Sequence, residues 1–548
     1  MYIFRKYFIS FIIAGALLSG LNSFAQTQPV PEPDPPKNWH TLDLKTDGYF
    51  GISLKQAYDF LNGKKSKTVI VGIIDSGIDT LQKDLQGVLW INTKEVAGNG
   101  LDDDHNGYID DIHGWDFLGG RGGKCDFSET EEEVREYNKL KAKYGYLMPD
   151  STNLNKKDYA YWKRVKTEYD STIVKARAEI SQLSPIVTAM VETSGYIRHA
   201  LKLKNNQTFN KSDVQNLKVS NDTLAEVKNL WTIAFTDEVS TSTNVKVIKE
   251  LSEYMTKLNN DISPDLEARK RIVGDDPDIL KDKPYGNNIL KYQDASHGTD
   301  VAGLVGAIRN NGYGIDGIAD NVRIMAIKAV PIGDEYDKDE ANAIHYAVDN
   351  GAKIINMSFG KKISPHKEWV DEAFKYAAAH DVLLVQAAGN DNQDVDAKPD
   401  YPNDIFADGS SDDADNVINV GASGLKMDEN LAATFSNYGK KNVDLFAPGV
   451  KITSIDSDAE LITDDGTSFS APIVSGIATL ILEYYPDLSA RQIKQAIMQS
   501  AQPLTGLQVL KPGTKDKVDF TTLSKTGGVV NALKALQIAS KMTGERKQ

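Results

Sequence analysis

The sequence predicts an α/β protein whose core is a doubly wound, mostly parallel β-sheet, with a mainly α-helical subdomain inserted into it. Short apolar runs rich in Val and Ile alternate with longer amphipathic segments over much of the chain. Strands that alternate with helices in this way form parallel sheets covered by helices on both faces. Residues 127–290 differ from this pattern, because long segments there are dense in Lys, Glu and Ala.

The first 25 residues have the pattern of a secretory signal peptide. Arg5 and Lys6 precede the apolar run Phe8–Leu21, and Ser23 and Ala25 are small residues before a cleavage point. The alternative is an uncleaved anchor helix, but the run is short for a membrane span and polar residues follow it at once. We therefore expect export to the periplasm, the cell surface or the medium, with no stable membrane span after cleavage.

Residues 26–50 are expected to form a Pro-rich linker and an amino-terminal segment. The core domain then follows in two parts, at residues 51–126 and 291–548. Its predicted strands are apolar runs suited to burial on both faces. They are Val69–Ile74, Val322–Ala329, Ala352–Met357, Val382–Ala387 and Val417–Val420. The predicted helices of this domain are Asp300–Arg309, Glu340–Asn350, Pro365–His380, Ser468–Tyr485 and Ser489–Ser500.

The insertion at residues 127–290 is predicted to be helical because its apolar residues recur at steps of three or four, which places them on one face of a helix. The clearest series is Trp162, Val165, Tyr169, Ile173, Ala176, Ile180 and Leu183. The predicted helices are Glu129–Lys143, Lys156–Leu183, Asn221–Thr236 and Asn244–Leu258. Two roles are open for the insertion, structural support and gating of substrates.

Composition excludes several classes of partner. The 548 residues include 62 basic and 77 acidic side chains, and the resulting net charge of −15 argues against nucleic acid or an anionic membrane as a partner. The single cysteine, Cys125, cannot form an internal disulfide, so stability must come from packing, to which bound ions can add. Cys125 has no evident base beside it, which argues against a nucleophilic role. The oligomeric state is not predicted.

A candidate nucleophile lies in the segment Gly466–Pro472, where Ser468 stands at the start of a predicted helix. A serine in this place can also be a simple helix cap. As a nucleophile it needs a base, and the base needs an orienting carboxylate. His297 in the segment Ser296–Gly303 and Asp75 at the end of a predicted strand are the candidates. Along the chain the order is Asp, His, Ser, the order of subtilisin.

These three segments, in this order, resemble the signature segments of subtilisin-like serine peptidases. The resemblance implies a catalytic core domain that hydrolyses peptide bonds of polypeptide substrates through an acyl-enzyme on Ser468, with Asp75 and His297 completing a triad. It implies no organic cofactor. In compact members the Asp and His are only a few tens of residues apart, whereas Asp75 and His297 are separated by 222 positions. The insertion accounts for this difference.

Two further segments resemble parts of the family's substrate site. Gln386–Asn390 is similar to the segment whose asparagine stabilises the oxyanion, which implies that role for Asn390 and contacts with substrate at Ala388 and Gly389. A plain turn is the alternative. Ser358, Phe359 and Gly360 are similar to the segment that pairs with extended substrate. No acidic cluster in the core segments calls for basic substrates, so cleavage specificity is not predicted.

The segment from Asp102 to Asp110 resembles the start of a calcium-binding loop. Oxygen-bearing side chains alternate and the sixth residue is glycine, but the twelfth is His113 instead of the glutamate of an EF-hand. Structural calcium is predicted, with a solvated turn as the alternative. The expected ligands are Asp102, Asp104, Asn106 and Asp110.

The leading hypothesis from the sequence is a secreted serine endopeptidase. Two alternatives remain open. One is a dedicated processing peptidase and the other a peptide-binding pseudoenzyme, in each case with the helical insertion selecting the partner. The pseudoenzyme is disfavoured because Asp75, His297, Ser468 and Asn390 are all present.

Overall fold

The structure is a computed structural model that describes residues 34–146, 155–235, 243–281, 284–293, 295–411, 413–457 and 461–546. The predicted signal peptide and the first part of the predicted linker lie outside the described residues. The chain divides into two compact units. We call residues 133–265 the helical unit, and residues 35–132 together with 266–546 the sheet unit. Among the described residues, no helix combines the length and the apolar character that crossing a bilayer requires.

The sheet unit is built on a seven-stranded sheet in the order β2-β3-β1-β4-β5-β6-β7, in which every neighbouring pair is parallel. Its strands are β1 (Val69–Asp75), β2 (Gly114–Asp116), β3 (Val322–Lys328), β4 (Ile354–Met357), β5 (Leu383–Ala387), β6 (Val417–Ser423) and β7 (Leu445–Pro448). The strand order reverses beside β1, which has β3 on one side and β4 on the other. In such sheets ligands bind at the carboxyl ends of the strands, at this reversal.

Fourteen helices of the α type lie within the described residues. The sheet unit begins with α1 (Leu44–Asp47) and α2 (Leu54–Leu61). The helical unit begins with α3 (Glu132–Tyr144). The helical unit continues with α4 (Lys156–Ala200), α5 (Lys211–Asn216), α6 (Asp222–Ala234) and α7 (Asn244–Ile262). The sheet unit resumes with α8 (Ala268–Ile272), α9 (Ser296–Gly306), α10 (Asp337–Asp349), α11 (Lys367–Ala379), α12 (Thr467–Tyr484), α13 (Ala490–Ser500) and α14 (Ala532–Ala539).

Helices cover both faces of the sheet. Val71 and Ile73 of β1 pack into one hydrophobic core, which α9 and α12 also line. Ile74 of the same strand packs into a second core with α10 and α11. Alternate residues of a strand point to opposite faces, so an apolar run such as Val69–Asp75 supplies both cores at once. The predicted doubly wound α/β fold is confirmed.

Two strands of the sheet were not predicted. They are β2 and β7, with the sequences Gly-Trp-Asp and Leu-Phe-Ala-Pro. Neither is long enough to show an apolar pattern, and each is a strand because a distant strand pairs with it. Two short antiparallel pairs were also not predicted, β8 (Ile452–Ile455) with β9 (Leu461–Asp464) and β10 (Gln508–Leu510) with β11 (Lys517–Asp519).

Helix α4 is longer than predicted, because it continues for 45 residues through Pro185 to Ala200. Proline removes a hydrogen bond from a helix interior, and this is why the sequence pattern favours an end at Leu183. Leu183, Met190 and Ile197 are fully buried at intervals of seven residues, on a face that packs with α6 and α7. This apolar core within the helical unit outweighs the cost of the proline.

Residues 266–290 pack in the sheet unit, although they fall inside the predicted insertion. Arg269 of α8 is 2% exposed and forms paired hydrogen bonds with two carboxylates, Asp275 at 2.7 and 2.9 Å and Asp339 of α10 at 2.6 and 2.8 Å. Lys338 lies 2.9 Å from Asp275, and the Tyr285 hydroxyl donates to Asp339 at 2.8 Å. This buried network fixes the returning chain on α10.

Candidate active site

Asp75 and His297 meet at the carboxyl end of β1. Asp75 is the last residue of β1 and His297 the second residue of α9. His297 Nδ1 lies 2.7 Å from Asp75 Oδ1; the Asp75 side chain is 2% exposed and the His297 side chain 23%. The backbone N–H of Ser76 also donates to Asp75 Oδ1. A bond at Nδ1 leaves Nε2 on the opposite side of the ring, where a general base accepts its proton.

Glycines at positions 77 and 298 allow α9 to approach β1 this closely. A Cβ on Gly298 would lie 2.1 Å from the carbonyl oxygen of Gly77. Gly77 has a φ of +106°, and a Cβ on it would lie 2.2 Å from the carbonyl oxygen of Leu290. Neither position can hold a side chain. The small residues beside Asp75 and His297 are therefore required by the packing of the site.

Ser468 lies in the first turn of α12 and is 9% exposed. Its Oγ donates to the carbonyl oxygen of Ser358 at 3.3 Å, and Ser358 Oγ donates to the Ser468 carbonyl at 2.9 Å. No hydrogen bond joins Ser468 to His297, both of which are described. The ring centroids of His297 and the adjacent Phe469 are 6.5 Å apart, so the two segments are neighbours. Catalytic hydrogen bonds of this kind commonly tighten only when substrate is bound.

Asn390 has one side-chain atom engaged and the other unpaired. Its Oδ1 accepts hydrogen bonds from the backbone N–H of Thr467 at 2.9 Å and from Thr467 Oγ1 at 3.0 Å. Because these donors fix Oδ1, the amide orientation is determined, and Nδ2 has no hydrogen-bond partner among the described residues. Asn390 is hydrogen-bonded to the residue before Ser468, and its Nδ2 is an N–H donor without a partner in the described part of the chain.

Asn437 organises the loop after β5, and the sequence did not predict this role. It is fully buried; its Nδ2 donates to the Ala388 carbonyl at 2.9 Å, and its Oδ1 accepts from the N–H groups of Asp391 and Gln393 at 3.0 and 2.9 Å. These bonds position the loop that carries Gly389 and Asn390. The partners are more than 40 positions away along the chain, and no local motif points to Asn437.

The predicted substrate-binding residues emerge from two neighbouring strands. Strands β4 and β5 are paired with Met357 opposite Gln386, so the segment of Ser358, Phe359 and Gly360 and the segment of Ala388 and Gly389 leave the same edge of the sheet. Gly389 has a φ of +98°, and a Cβ there would lie 2.4 Å from Asn437 Nδ2. The structure brings both segments to the edge where Ser468 lies; their contact with substrate stays a prediction.

The acidic loop brings together a set of carboxylates that differs from the predicted one. Carboxylate oxygens of Glu95, Asp102 and Asp104 lie within 4.8 Å of one another, a spacing that a single oxygen-liganded cation can bridge. Glu95 was missed because it lies outside the motif. Asp110 instead accepts hydrogen bonds from the N–H groups of residues 98, 99 and 100, and Asn106 Oδ1 accepts from Tyr108 N. The donor chemistry of the three carboxylates fits calcium.

Cys125 is buried away from solvent. Burial, with the neighbouring Asp116 carboxylate, raises the pKa of its thiol to about 12. The thiol is therefore protonated at neutral pH, which makes it a poor nucleophile.

The chain matches the model of the Subtilase family over residues 66–528. It is 34% identical over 245 residues to the thermophilic serine proteinase of Bacillus sp. (strain AK1), covering 44% of this chain and 54% of that protein. It is 29% identical over 221 residues to the cell wall-associated protease of Bacillus subtilis (strain 168), covering 40% of this chain and 23% of that protein.

Thermitase of Thermoactinomyces vulgaris is 32% identical over 242 residues, covering 44% of this chain and 75% of thermitase. The chain thus spans about half the length of the AK1 proteinase and less of the cell wall-associated protease. The family match extends over most of the sheet unit and across the helical unit. On this evidence the chain belongs to the subtilase family.

Proposed function

We propose that this chain is an exported serine endopeptidase that hydrolyses peptide bonds through an acyl-enzyme on Ser468. The observation that carries the proposal is the 2.7 Å contact between His297 Nδ1 and Asp75 Oδ1, beside a serine in the first turn of α12 and an unpaired Asn390 Nδ2. Family membership supports the same reaction class. The alternative of a peptide-binding pseudoenzyme has no observation in its favour.

In the proposed reaction, Ser468 Oγ turns from the Ser358 carbonyl, gives its proton to His297 Nε2 and attacks the substrate carbonyl carbon. Asp75 holds the imidazole in place and stabilises its protonated form. The oxyanion accepts hydrogen bonds from Asn390 Nδ2 and the backbone N–H of Ser468, where the helix N-terminus adds a favourable field. His297 then protonates the leaving amine. Water, deprotonated by the same imidazole, releases the acid and restores Ser468.

The test is covalent labelling of Ser468 by a fluorophosphonate, together with hydrolysis of a small peptide ester by a separate, unlabelled sample. The wild type should be labelled and active, whereas Ser468→Ala should be neither. The Ser470→Ala variant is the matched control, because Ser470 lies two residues further in the same helix and its Oγ donates to the carbonyl of Ala447. Labelling that persists in Ser468→Ala, or no labelling of the wild type, would refute the proposal.

Export is proposed from the amino-terminal pattern, and one relative is named for the cell wall. Calcium is proposed as a structural ion held by Glu95, Asp102 and Asp104, where it would neutralise three neighbouring carboxylates. We assign no catalytic step to it.

A further inference from the structure

A cavity opens at the carboxyl ends of β4 and β5, beside the candidate active site. It is partly open to solvent. Gly360, Ala388 and residues 399–403 are among the residues that line it. The cavity is therefore bounded by both segments that were predicted to bind substrate.

The position of this cavity determines which part of a substrate reaches it. The scissile carbonyl must lie between Ser468 Oγ and Asn390 Nδ2, and Ser358 is hydrogen-bonded to Ser468. A substrate strand held along Ser358–Gly360 places the residue that supplies this carbonyl next to Ala388 and Gly360. The side chain of that residue leaves the backbone one bond from the carbonyl, so the cavity between the two segments is the space it enters.

The polar atoms unpaired in the cavity wall are acceptors. Gln386 and Asn419 line the cavity, and Gln386 Oε1 and Asn419 Oδ1 are buried without a hydrogen-bond partner among the described residues. Their amide orientations are fixed, because Gln386 Nε2 donates to the Pro402 carbonyl at 3.1 Å and Asn419 Nδ2 donates to the Asn442 carbonyl at 2.6 Å. Buried acceptors without donors favour a ligand that brings N–H groups.

Asp400 adds a carboxylate to this wall. It is a lining residue that keeps partial solvent exposure, and one of its oxygens accepts from Asn437 Nδ2 at 3.3 Å. Within the described part of the chain no cation lies within ion-pair distance of it. Burial, and next the charge of Asp391, raise the pKa of Asp400 to about 8. Glu335 acts in the same direction, whereas Lys362 lowers the pKa without forming an ion pair with Asp400.

We propose that this cavity binds the side chain of Lys or Arg in the residue before the scissile bond, with Asp400 as the specificity-determining residue. This inference rests on the proposed peptidase activity. A guanidinium or ammonium group would be a cationic partner for the Asp400 carboxylate. It would also donate N–H groups to the unpaired oxygens of Gln386 and Asn419. The sequence did not predict this preference, because it depends on one carboxylate and not on an acidic cluster.

The first experiment compares kcat/KM on peptide p-nitroanilides that differ only in the residue before the scissile bond, as Arg, Lys, Leu or Phe. The basic substrates should be preferred. At about pH 9, where Asp400 is charged, Asp400→Asn should lower kcat/KM on the Arg substrate by at least about 30-fold, since unpairing a buried charge has effects of this size, and should leave the Leu substrate nearly unchanged. Asp408→Asn, which removes an exposed carboxylate paired with Lys375, is the control and should behave as wild type. A preference for Leu or Phe, or an equal effect on all substrates, would overturn the inference.

The pH dependence needs no variant. The ratio of kcat/KM for the Arg substrate to that for the Leu substrate should rise as the pH passes through about 8, because Asp400 becomes charged there. Ionisation of the shared general base cancels in this ratio. The measurement runs from about pH 6 to about pH 10, roughly two units either side of the expected midpoint. A ratio that stays constant over this range would contradict the role of Asp400.

A binding experiment separates the two proposals. At about pH 9, benzamidine, an arginine-like cation, should bind the full-length Ser468→Ala variant in a calorimeter, and Asp400→Asn added to it should weaken binding at least about tenfold. If the wild type is not labelled by fluorophosphonate but benzamidine binding depends on Asp400, the peptidase proposal fails and the cationic subsite stands. If labelling succeeds and benzamidine binds equally with and without Asp400, the subsite fails and the peptidase stands.

Discussion

Asn390 combines a structural hydrogen bond with the oxyanion role that we propose for it. Its Oδ1 accepts from Thr467 at the first turn of α12, which satisfies a backbone donor that helix starts leave unpaired. The same bond directs Nδ2 to the side where the substrate oxyanion would form. The geometry of the donor is thus set by a structural hydrogen bond and is present before substrate arrives, which is the condition for electrostatic stabilisation of a transition state.

We expect Asn390→Asp to lower kcat by roughly 10²–10³, with a small change in KM, because the substitution keeps the acceptor for Thr467 and removes the donor. Steady-state kinetics on a peptide ester measure both constants. Thr467→Val, which removes the Oγ1 contacts with Asn390 and Gly389 but no donor to the oxyanion, is the comparison and should have a smaller effect. Equal activity of Asn390→Asp and wild type would exclude Asn390 as an oxyanion donor.

Glu483 in α12 provides a test of pH-dependent stability. It is fully buried, and burial together with Asp320 raises its pKa to about 9. Between pH 4.5 and 9 the folded state holds a proton that the unfolded state has released, so this group makes stability fall as the pH rises. Glu483→Gln mimics the neutral acid and should become more stable relative to wild type by at most about 1.4 kcal/mol per pH unit.

Urea denaturation of both proteins at several pH values measures this difference in unfolding free energy. Glu429→Gln, at a side chain that is 49% exposed and pairs with Lys517, serves as the control without burial. If wild type and Glu483→Gln gave parallel stability curves, Glu483 would be ionised in the folded protein at neutral pH.

Among the elements, helix α4 departs most from what its sequence favours. Its amino-terminal half follows the apolar spacing, and the predicted residues Trp162, Val165 and Leu183 are buried. Its second half continues past Pro185 because Met190 and Ile197 extend the same buried face. Local propensity ends the helix at the proline, but packing with distant helices, which no local pattern encodes, prolongs it.

Two valines of α4, one buried and one exposed, test how the helix packs. Val165 is fully buried and Val174 is 68% exposed. Val165→Ala should lower the free energy of unfolding by about 2 kcal/mol, because it removes two buried methyl groups and leaves a cavity. Val174→Ala should change it by less than about 0.5 kcal/mol. Urea denaturation followed by far-UV circular dichroism measures both, and equal effects would show that α4 is packed differently.

Sequence and structure agree where a feature is contiguous in the chain. The strands β1, β3, β4, β5 and β6 and the segments around Asp75, His297 and Ser468 are each recognisable within about ten residues. The features that were missed depend on partners far apart in the sequence. Strand β2 needs β3, Asn437 needs the loop after β5, and Glu95 needs Asp102 and Asp104. The role that we propose for Asp400 depends on the cavity that it lines.

For the molecule as a whole, stability cannot draw on an internal disulfide, since the chain has one cysteine, and the proposed calcium ion would add to the stability that packing provides. We expect millimolar calcium to raise the melting temperature relative to a chelator. The corresponding gain in the free energy of unfolding is about 2.7 kcal/mol if calcium is at a hundred times its Kd. Asp104→Asn should diminish this shift. Asp103→Asn, which removes a carboxylate outside the group of Glu95, Asp102 and Asp104, should not. Identical melting with calcium and chelator would refute the calcium site.

The return of the chain at Arg269 bears on how the sheet forms. Val69 of β1 pairs with Val322 of β3, and the helical unit of residues 133–265 accounts for about half of the chain between them. The entropy of closing a loop grows only with the logarithm of its length, so doubling this loop adds about 0.6 kcal/mol to the cost of pairing the two strands. A whole helical unit can therefore occupy the loop between the aspartate and the histidine while β1 and β3 keep their register.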